Sequence, residues 1–236
     1  MRFFTPTCEV PSCSHATTAA HYVRAKKPGI TGVVRQLCGA GVLSIESTQT
    51  GNDCEVYMRQ AMPEFLDVYN NTIPEILDAL GLSNDPLDRR CPVEVVSTGH
   101  SKVLIGVRDS DVLNALSPGD EHRMRISKSI GCNGYFLFTL HPDDLSHFSE
   151  ARMFAPAIGI KEDPVTGNGN GPLGAYLVRH GLVLHHGSVV RFTSLQGRAM
   201  GRPGVAEVEV QIANGNPVSV KVGKDAGIAF EFDLTV

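Results

Sequence analysis

Arg152-Met153-Phe154-Ala155-Pro156 echoes Arg2-Phe3-Phe4-Thr5-Pro6, with arginine, phenylalanine and proline at the same places in both. Each copy is followed by an acidic residue, a loop containing Gly, Ser or Asn, and a small-residue helix. The first helix carries Tyr22-Val23 and the second Tyr176-Leu177-Val178. The same tripeptide then opens a strand series, as Val33-Val34-Arg35 and as Val189-Val190-Arg191. Three matches in one order imply two homologous halves, residues 1–90 and 91–236. In the second half about sixty residues, Cys91 to Glu150, precede the Arg-x-Phe-x-Pro segment; in the first that segment begins at residue 2. The first half is therefore expected to lack its leading strands and to be completed by the C-terminal strand. It should also show an open sheet edge, which another subunit or a neighbouring segment would cover.

Periodicity extends this outline to the rest of the chain. Alternating or continuously apolar runs predict strands at Val33–Cys38, Val42–Glu46, Cys54–Arg59, Val93–Ser97, Val103–Val107, Tyr135–Thr139, Val189–Thr193, Val205–Ile212, Val218–Val222 and Ile228–Phe232. Helices are predicted at four places. Thr72-Ile-Pro-Glu75 is a capping-box pattern leading toward Leu80, with Gly81 as a stop. Asp109–Leu116 starts on a good N-cap residue and ends before Ser117-Pro118. His15–Lys26 places Ala16, Ala19, Ala20 and Val23 on one stripe, and Gly171–His180 groups Leu173, Tyr176 and Leu177. Many strands among few helices, without strict βαβ alternation, argue an α+β fold.

Composition removes several functions. The 236 residues are 42% hydrophobic and 19% charged, which is globular. Net charge is −4 and no Lys/Arg run exists, so nucleic acid is not an expected partner. No apolar stretch approaches the ~20 residues of a membrane span, and MRFFTPTCEV has no apolar signal-peptide core. Six scattered cysteines read as reduced thiols. The expectation is a cytoplasmic protein. There is no C-x-x-C pair, and neither His185-His186 nor the His15/His21 pair has metal-ligand spacing, so no metal site is expected.

The run Glu162-Asp163-Pro164-Val165-Thr166-Gly167-Asn168-Gly169-Asn170-Gly171 is the strongest chemical signal. It reads as a loop whose crowded amides, backed by the positive end of the following helix, favour a carboxylate or phosphate. Gly169-Asn-Gly171-Pro-Leu-Gly174 formally matches G-x-G-x-x-G. However, KEDPVT before it is no buried strand, and no acidic residue lies between Asp163 and Glu207 to hold a ribose. A P-loop fails for want of a Lys-Ser/Thr pair. In the first half the corresponding stretch, Pro11 to Thr17, puts His15 at a helix N-terminus, where the dipole disfavours imidazolium. Cys13 shares that position, but Val165–Asn168 holds no matching cysteine, which argues against two-thiol epimerisation.

RFFTPTCEVPSCSHATTAAHYV, STGHSKVLIGV, ARMFAPAIGIKEDPVTGNGNGPLGAYLV and QGRAMGRPG together resemble the PhzF-like, phenazine-biosynthesis-type isomerase family, over essentially the whole chain. The resemblance implies a diaminopimelate epimerase-like fold. Its two pseudo-symmetric halves would each be a mostly antiparallel, barrel-like sheet around a central helix, with the cleft facing both helix N-termini. It also implies a homodimer, no cofactor, and a proton shift on a small carboxylate by general acid–base catalysis. Matched residue by residue, the family's cleft histidine falls on His15, its carboxylate on Asp163, and the small polar residue after T-G on Asn168, where better known members have serine. Ser14 stands where glycine is usual. The family's principal glutamate lies upstream of R-x-F-T-P and has no counterpart in this sequence; Glu9 follows that segment and is not its equivalent.

Two functions are therefore expected. In the first, His15 and Asp163 relay protons, while Ser14, Gly167, Asn168, Gly169, Asn170 and Gly171 bind a small-molecule carboxylate. In the second, the missing glutamate leaves a catalytically impaired protein that binds small anions.

Overall fold

The computed structural model describes residues 1–236 except 6, 28, 67, 69–71, 84, 117–124, 128–129, 133, 142–144, 225 and 233–236. Pro6 of the first echo, and the Ser117-Pro118 stop, lie outside the described residues. The chain forms a short hairpin, β1 (Phe3–Phe4) and β2 (Glu9–Val10), then α1 (Ser14–Ala25) and strands β3 (Gly32–Cys38), β4 (Gly41–Thr50) and β5 (Asp53–Arg59). Next come β6 (Glu64–Leu66), α2 (Ile73–Ala79), β7 (Glu94–Ser97), β8 (Ser101–Gly106), α3 (Ser110–Ala115) and β9 (Tyr135–Thr139). A second hairpin, β10 (Ser149–Ala155) and β11 (Ile160–Asp163), leads into α4 (Gly167–Arg179), β12 (Val189–Gln196), β13 (Gly204–Ala213) and β14 (Asn216–Lys224).

The fold is α+β. One large mixed sheet runs in the order β3-β4-β5-β14-β13-β12-β10-β9-β8-β7-β6, with β11 paired to β10. Pairing is antiparallel except for β8 with β9 and β10 with β12. β14 lies between β13 and β5, with Val222 opposite Met58, so the last described strand joins β3–β5 to the rest of the sheet. The main core surrounds α4, where Leu173, Tyr176 and Leu177 meet Phe136, Phe138, Val208 and Val220. A second core lies around Ile76, Leu80, Val103, Ile105 and Leu137. A smaller one joins Tyr22 and Ala25 of α1 to Ile45, Val56 and Met58.

The echo has a structural cause. Phe3 pairs Val10 in the first hairpin, and Met153 pairs Asp163 in the second. In each the arginine grips the acidic residue on the returning strand. Arg2 holds Glu9 through Nε at 3.0 Å and Nη2 at 2.8 Å; Arg152 holds Glu162 at 2.8 Å through both nitrogens. Each hairpin thus carries its own two-point clamp and delivers the chain to a helix.

Several expectations are corrected. β10 was unforeseen, because Glu150 and Arg152 disguise a strand that is buried along its whole length. The Ala16, Ala19, Ala20 and Val23 stripe of α1 faces outward. The helix instead buries Thr17, Thr18, His21, Tyr22 and Ala25 against β3–β5. That inner face is polar: Gln36 donates to Thr17 Oγ1 at 3.1 Å and lies 3.0 Å from His21 Nε2. Thr72 provides no side-chain cap because its backbone is already helical, whereas Asp109 accepts from the Val112 amide at 2.9 Å. Ile228–Phe232 is not a strand, and Ile228, Phe230 and Phe232 are exposed. The strand completing the first sheet segment is β14 instead. At the outer edge, β3 exposes Val33 and Leu37, by 66% and 69%.

Candidate functional site

The glycine-rich run that reads as a loop is already helix. α4 begins at Gly167, and Gly167, Gly169 and Gly171 are buried at its start. A Cβ at Gly169 would lie 2.3 Å from the Phe136 ring, and one at Gly171 would lie 1.8 Å from Gln60 Oε1. These glycines therefore let the helix start lie against the sheet. A Cβ at Gly167 would come within 2.7 Å of Ser14 Oγ, so the tips of α1 and α4 touch there. Ser14 fits there because Gly167 leaves it room.

Both helices start without a side-chain cap, on extended residues Cys13 and Thr166, and neither has an acidic residue in its first turn. Their positive ends are left uncompensated by their own sequence. The amides of Gly169 and Asn170 bond back to the Thr166 carbonyl, at 3.2 and 3.0 Å.

A cavity of about 510 Å³ opens at these tips. Ser14, His15, Asp163 and Asn168 line it, together with Thr166 and apolar residues such as Phe3 and Met153. Gly167, Gly169, Asn170 and Gly171 are not on its wall. Asn170 instead donates to the Thr166 carbonyl at 2.9 Å and to Gln196 Oε1 at 3.0 Å. His15 Nε2 lies 3.9 Å from Asp163 Oδ1, and the Thr166 hydroxyl donates to Asp163 Oδ2 at 2.6 Å. Buried Gln196 anchors the turn, donating to the Asp163 carbonyl at 2.8 Å and accepting from the Thr166 amide at 3.0 Å. One oxygen of the acid is thus fixed by a hydroxyl, and the other faces an imidazole from the opposite helix tip. A gap of 3.9 Å exceeds a hydrogen bond, and such spacings shorten when a ligand closes a site.

His100 and Lys102 also line this cavity, and sequence reasoning did not select them. The signal was a polar His-Ser-Lys step at the start of an apolar strand, with Lys102 in phase with inward Leu104. His100 Nε2 lies 3.0 Å from Ser12 Oγ, tying the segment before α1 to the turn before β8. Burial, helped by the charge on Lys102, pushes His100 down to about 4. Burial pushes Lys102 down to about 8, against the pull of Cys132 and Asp163.

His100 should make the fold acid-sensitive. Its folded value lies below the ordinary 6.5, so the unfolded chain takes up the proton first as pH falls. The stability from neutral His100 is complete above pH 6.5 and drains away toward pH 4, for a total of about 3 kcal/mol. Denaturant unfolding of His100→Gln should show a flatter loss across that window than the parent protein does.

Among the described residues no cluster of three or more His, Cys, Asp or Glu side chains could hold a metal ion. No described helix is long and apolar enough to cross a membrane.

Known proteins resemble this chain in sequence and in fold. Residues 1–231 match the model of the phenazine biosynthesis-like protein family. An uncharacterized isomerase of Clostridium acetobutylicum is 44% identical over 238 residues, spanning 100% of this chain and 79% of that protein. The trans-2,3-dihydro-3-hydroxyanthranilate isomerase of Pseudomonas fluorescens is 30% identical over 210 residues, covering 86% of this chain and 67% of that one. The crystal structure of a Bacillus anthracis phenazine biosynthesis protein of the PhzF family superposes with a TM-score of 0.86 at 26% identity, covering 100% of this chain and 80% of that one. The chain belongs to the phenazine biosynthesis-like (PhzF) family. Isomerase is the activity class it shares with its relatives.

Proposed function

We propose that the protein is a cofactor-independent isomerase that moves a proton on a small amino-acid-like or cyclic carboxylate by general acid–base catalysis. The observation that carries this reading is the approach of His15 Nε2 to Asp163 Oδ1, at 3.9 Å, above the joined helix tips. The substrate carboxylate rests against the helix tips at Ser14 and Asn168, which line the cavity, while Gly167 lets the two tips meet. The amides of Gly169 and Asn170 are already bonded to Thr166, so they and Gly171 shape the site without contacting the anion. Asp163, one oxygen fixed by Thr166, takes a proton from a carbon whose negative charge the adjacent carboxylate helps to spread. His15 returns it at the other end of the shift. The Pseudomonas fluorescens relative, named for isomerising a dihydro-hydroxyanthranilate, supports a substrate of this chemical kind.

The test is solvent-deuterium incorporation, followed by NMR, into a panel of cyclic and amino-acid-like carboxylates. Incorporation by the parent protein that Asp163→Ala abolishes supports the reading. Binding without incorporation would make the protein an anion-binding member of the family instead.

We further propose that residues 1–90 and 91–236 are two structurally related halves acting in the cytoplasm as a homodimer. The exposed β3 edge and the outward alanine stripe of α1 support self-association. Sedimentation velocity at micromolar concentration should give the mass of two chains; a single-chain mass would contradict it.

A further inference from the structure

Lys102 has no task in the proton shift, yet it is the oddest charge in the molecule. Four Lys, Arg, Asp or Glu residues are buried among the described ones: Glu94, Lys102, Glu150 and Arg152. Three are paired with opposite charge. Glu94 meets Arg179 at 3.7 Å, Glu150 meets Arg198 at 3.1 Å, and Arg152 meets Glu162. Lys102 is 1% exposed, and no carboxylate of the described residues lies within ion-pairing distance. Among the described residues its one bond is from Nζ to the Ser101 carbonyl at 3.1 Å. An ammonium has three donors, and a buried cation without a partner is costly. The side chain lines the same cavity as His15 and Asp163.

We infer that Lys102 is the recognition point for a second anionic group, so that the substrate is a diacid, held by one carboxylate at the helix tips and by the other at the Lys102 ammonium. This rests on the anion-binding cleft proposed above. The surrounding wall contains Phe3, Met153, Ile158 and Ile160, which suits an apolar body between two acidic ends. Lys102 here is a specificity-determining residue; the proton passes elsewhere.

Matched acids at constant ionic strength test this, by isothermal titration of the whole chain. The pairs are succinate with butanoate, glutarate with pentanoate and adipate with hexanoate, so that the length series finds the spacing. At least one diacid should bind tenfold or more tightly than its mono-acid partner. Lys102→Met, which keeps an unbranched chain one atom shorter and removes the charge, should bring the pair within twofold. Lys102→Gln repeats the comparison if the methionine variant does not fold. Equal binding within every pair, or a preference that survives the substitution, overturns the inference and leaves the cleft reading standing. No binding of any acid overturns both.

Discussion

Replacing Asp163 by asparagine should slow solvent exchange into the substrate by about 10²–10⁴-fold, the range that a positioned general acid or base supplies. Asparagine keeps the shape and retains an oxygen to accept from the Thr166 hydroxyl, which now reaches Asp163 at 2.6 Å. The Gln196 contacts that hold the turn run to backbone atoms and to Thr166, so they survive the change. What disappears is the capacity to take a proton. The variant should therefore fold with an unchanged melting temperature and bind its carboxylate, yet exchange almost no hydrogen. Exchange within threefold of the parent protein would remove Asp163 from the proposed mechanism.

The largest stability effect is expected at Arg152. Its guanidinium is almost fully buried and holds Glu162 through two bonds, the Leu113 carbonyl at 3.0 Å and the Leu116 carbonyl at 2.8 Å. Arg152→Met leaves the Glu162 carboxylate and two carbonyls short of partners, at a cost of about 3–5 kcal/mol. The equivalent clamp at Arg2 is a contrast, since its side chain is 73% exposed. Arg2→Met should leave stability nearly unchanged, because the exposed pair is screened by water. Urea unfolding of the two variants makes the comparison. Glu162→Leu added to Arg152→Met should recover part of the loss, because it removes the carboxylate left unpaired. Glu162 adjoins Asp163, so the single variant should also lose activity beyond what its remaining folded fraction explains.

Much of this architecture was legible in the sequence, and the reasons can be traced to single residues. The echo was readable because each arginine of an Arg-x-Phe segment needs an acid on the returning strand, and Glu9 and Glu162 are those acids. His15 and Asp163 stood out because they match the cleft histidine and the carboxylate of the resembling family, close to the starts of α1 and α4. β10 was hidden because its inward charges are satisfied by distant partners: Ser110, Asn114 and Arg198 for Glu150, and Glu162 for Arg152. Local hydropathy carries no trace of such partners.

The glycines of α4 misled in another way. Alone, Gly167 to Gly171 is poor helix-forming material. Only the nearness of Phe136 and Gln60 shows that the missing side chains make room for packing. The alanine stripe of α1 pointed the wrong way because apolar periodicity assumes an apolar interior, whereas Gln36 provides a polar one. Lys102 went unnoticed because its phase with inward Leu104 puts it on the buried face, but only the fold brings a cavity to that face.

A double-mutant cycle on His15→Gln and Asp163→Asn, read as the rate of deuterium incorporation into the substrate, tests the central claim most directly. If the imidazole and the carboxylate pass one proton between them, losing either disables the relay. The double variant should then be no slower than the slower single variant, within about threefold, as for residues that act as a unit. Losses that multiply, with the double variant slower by the product of the two single effects, would mean that the two side chains act independently, and would contradict the proposed relay.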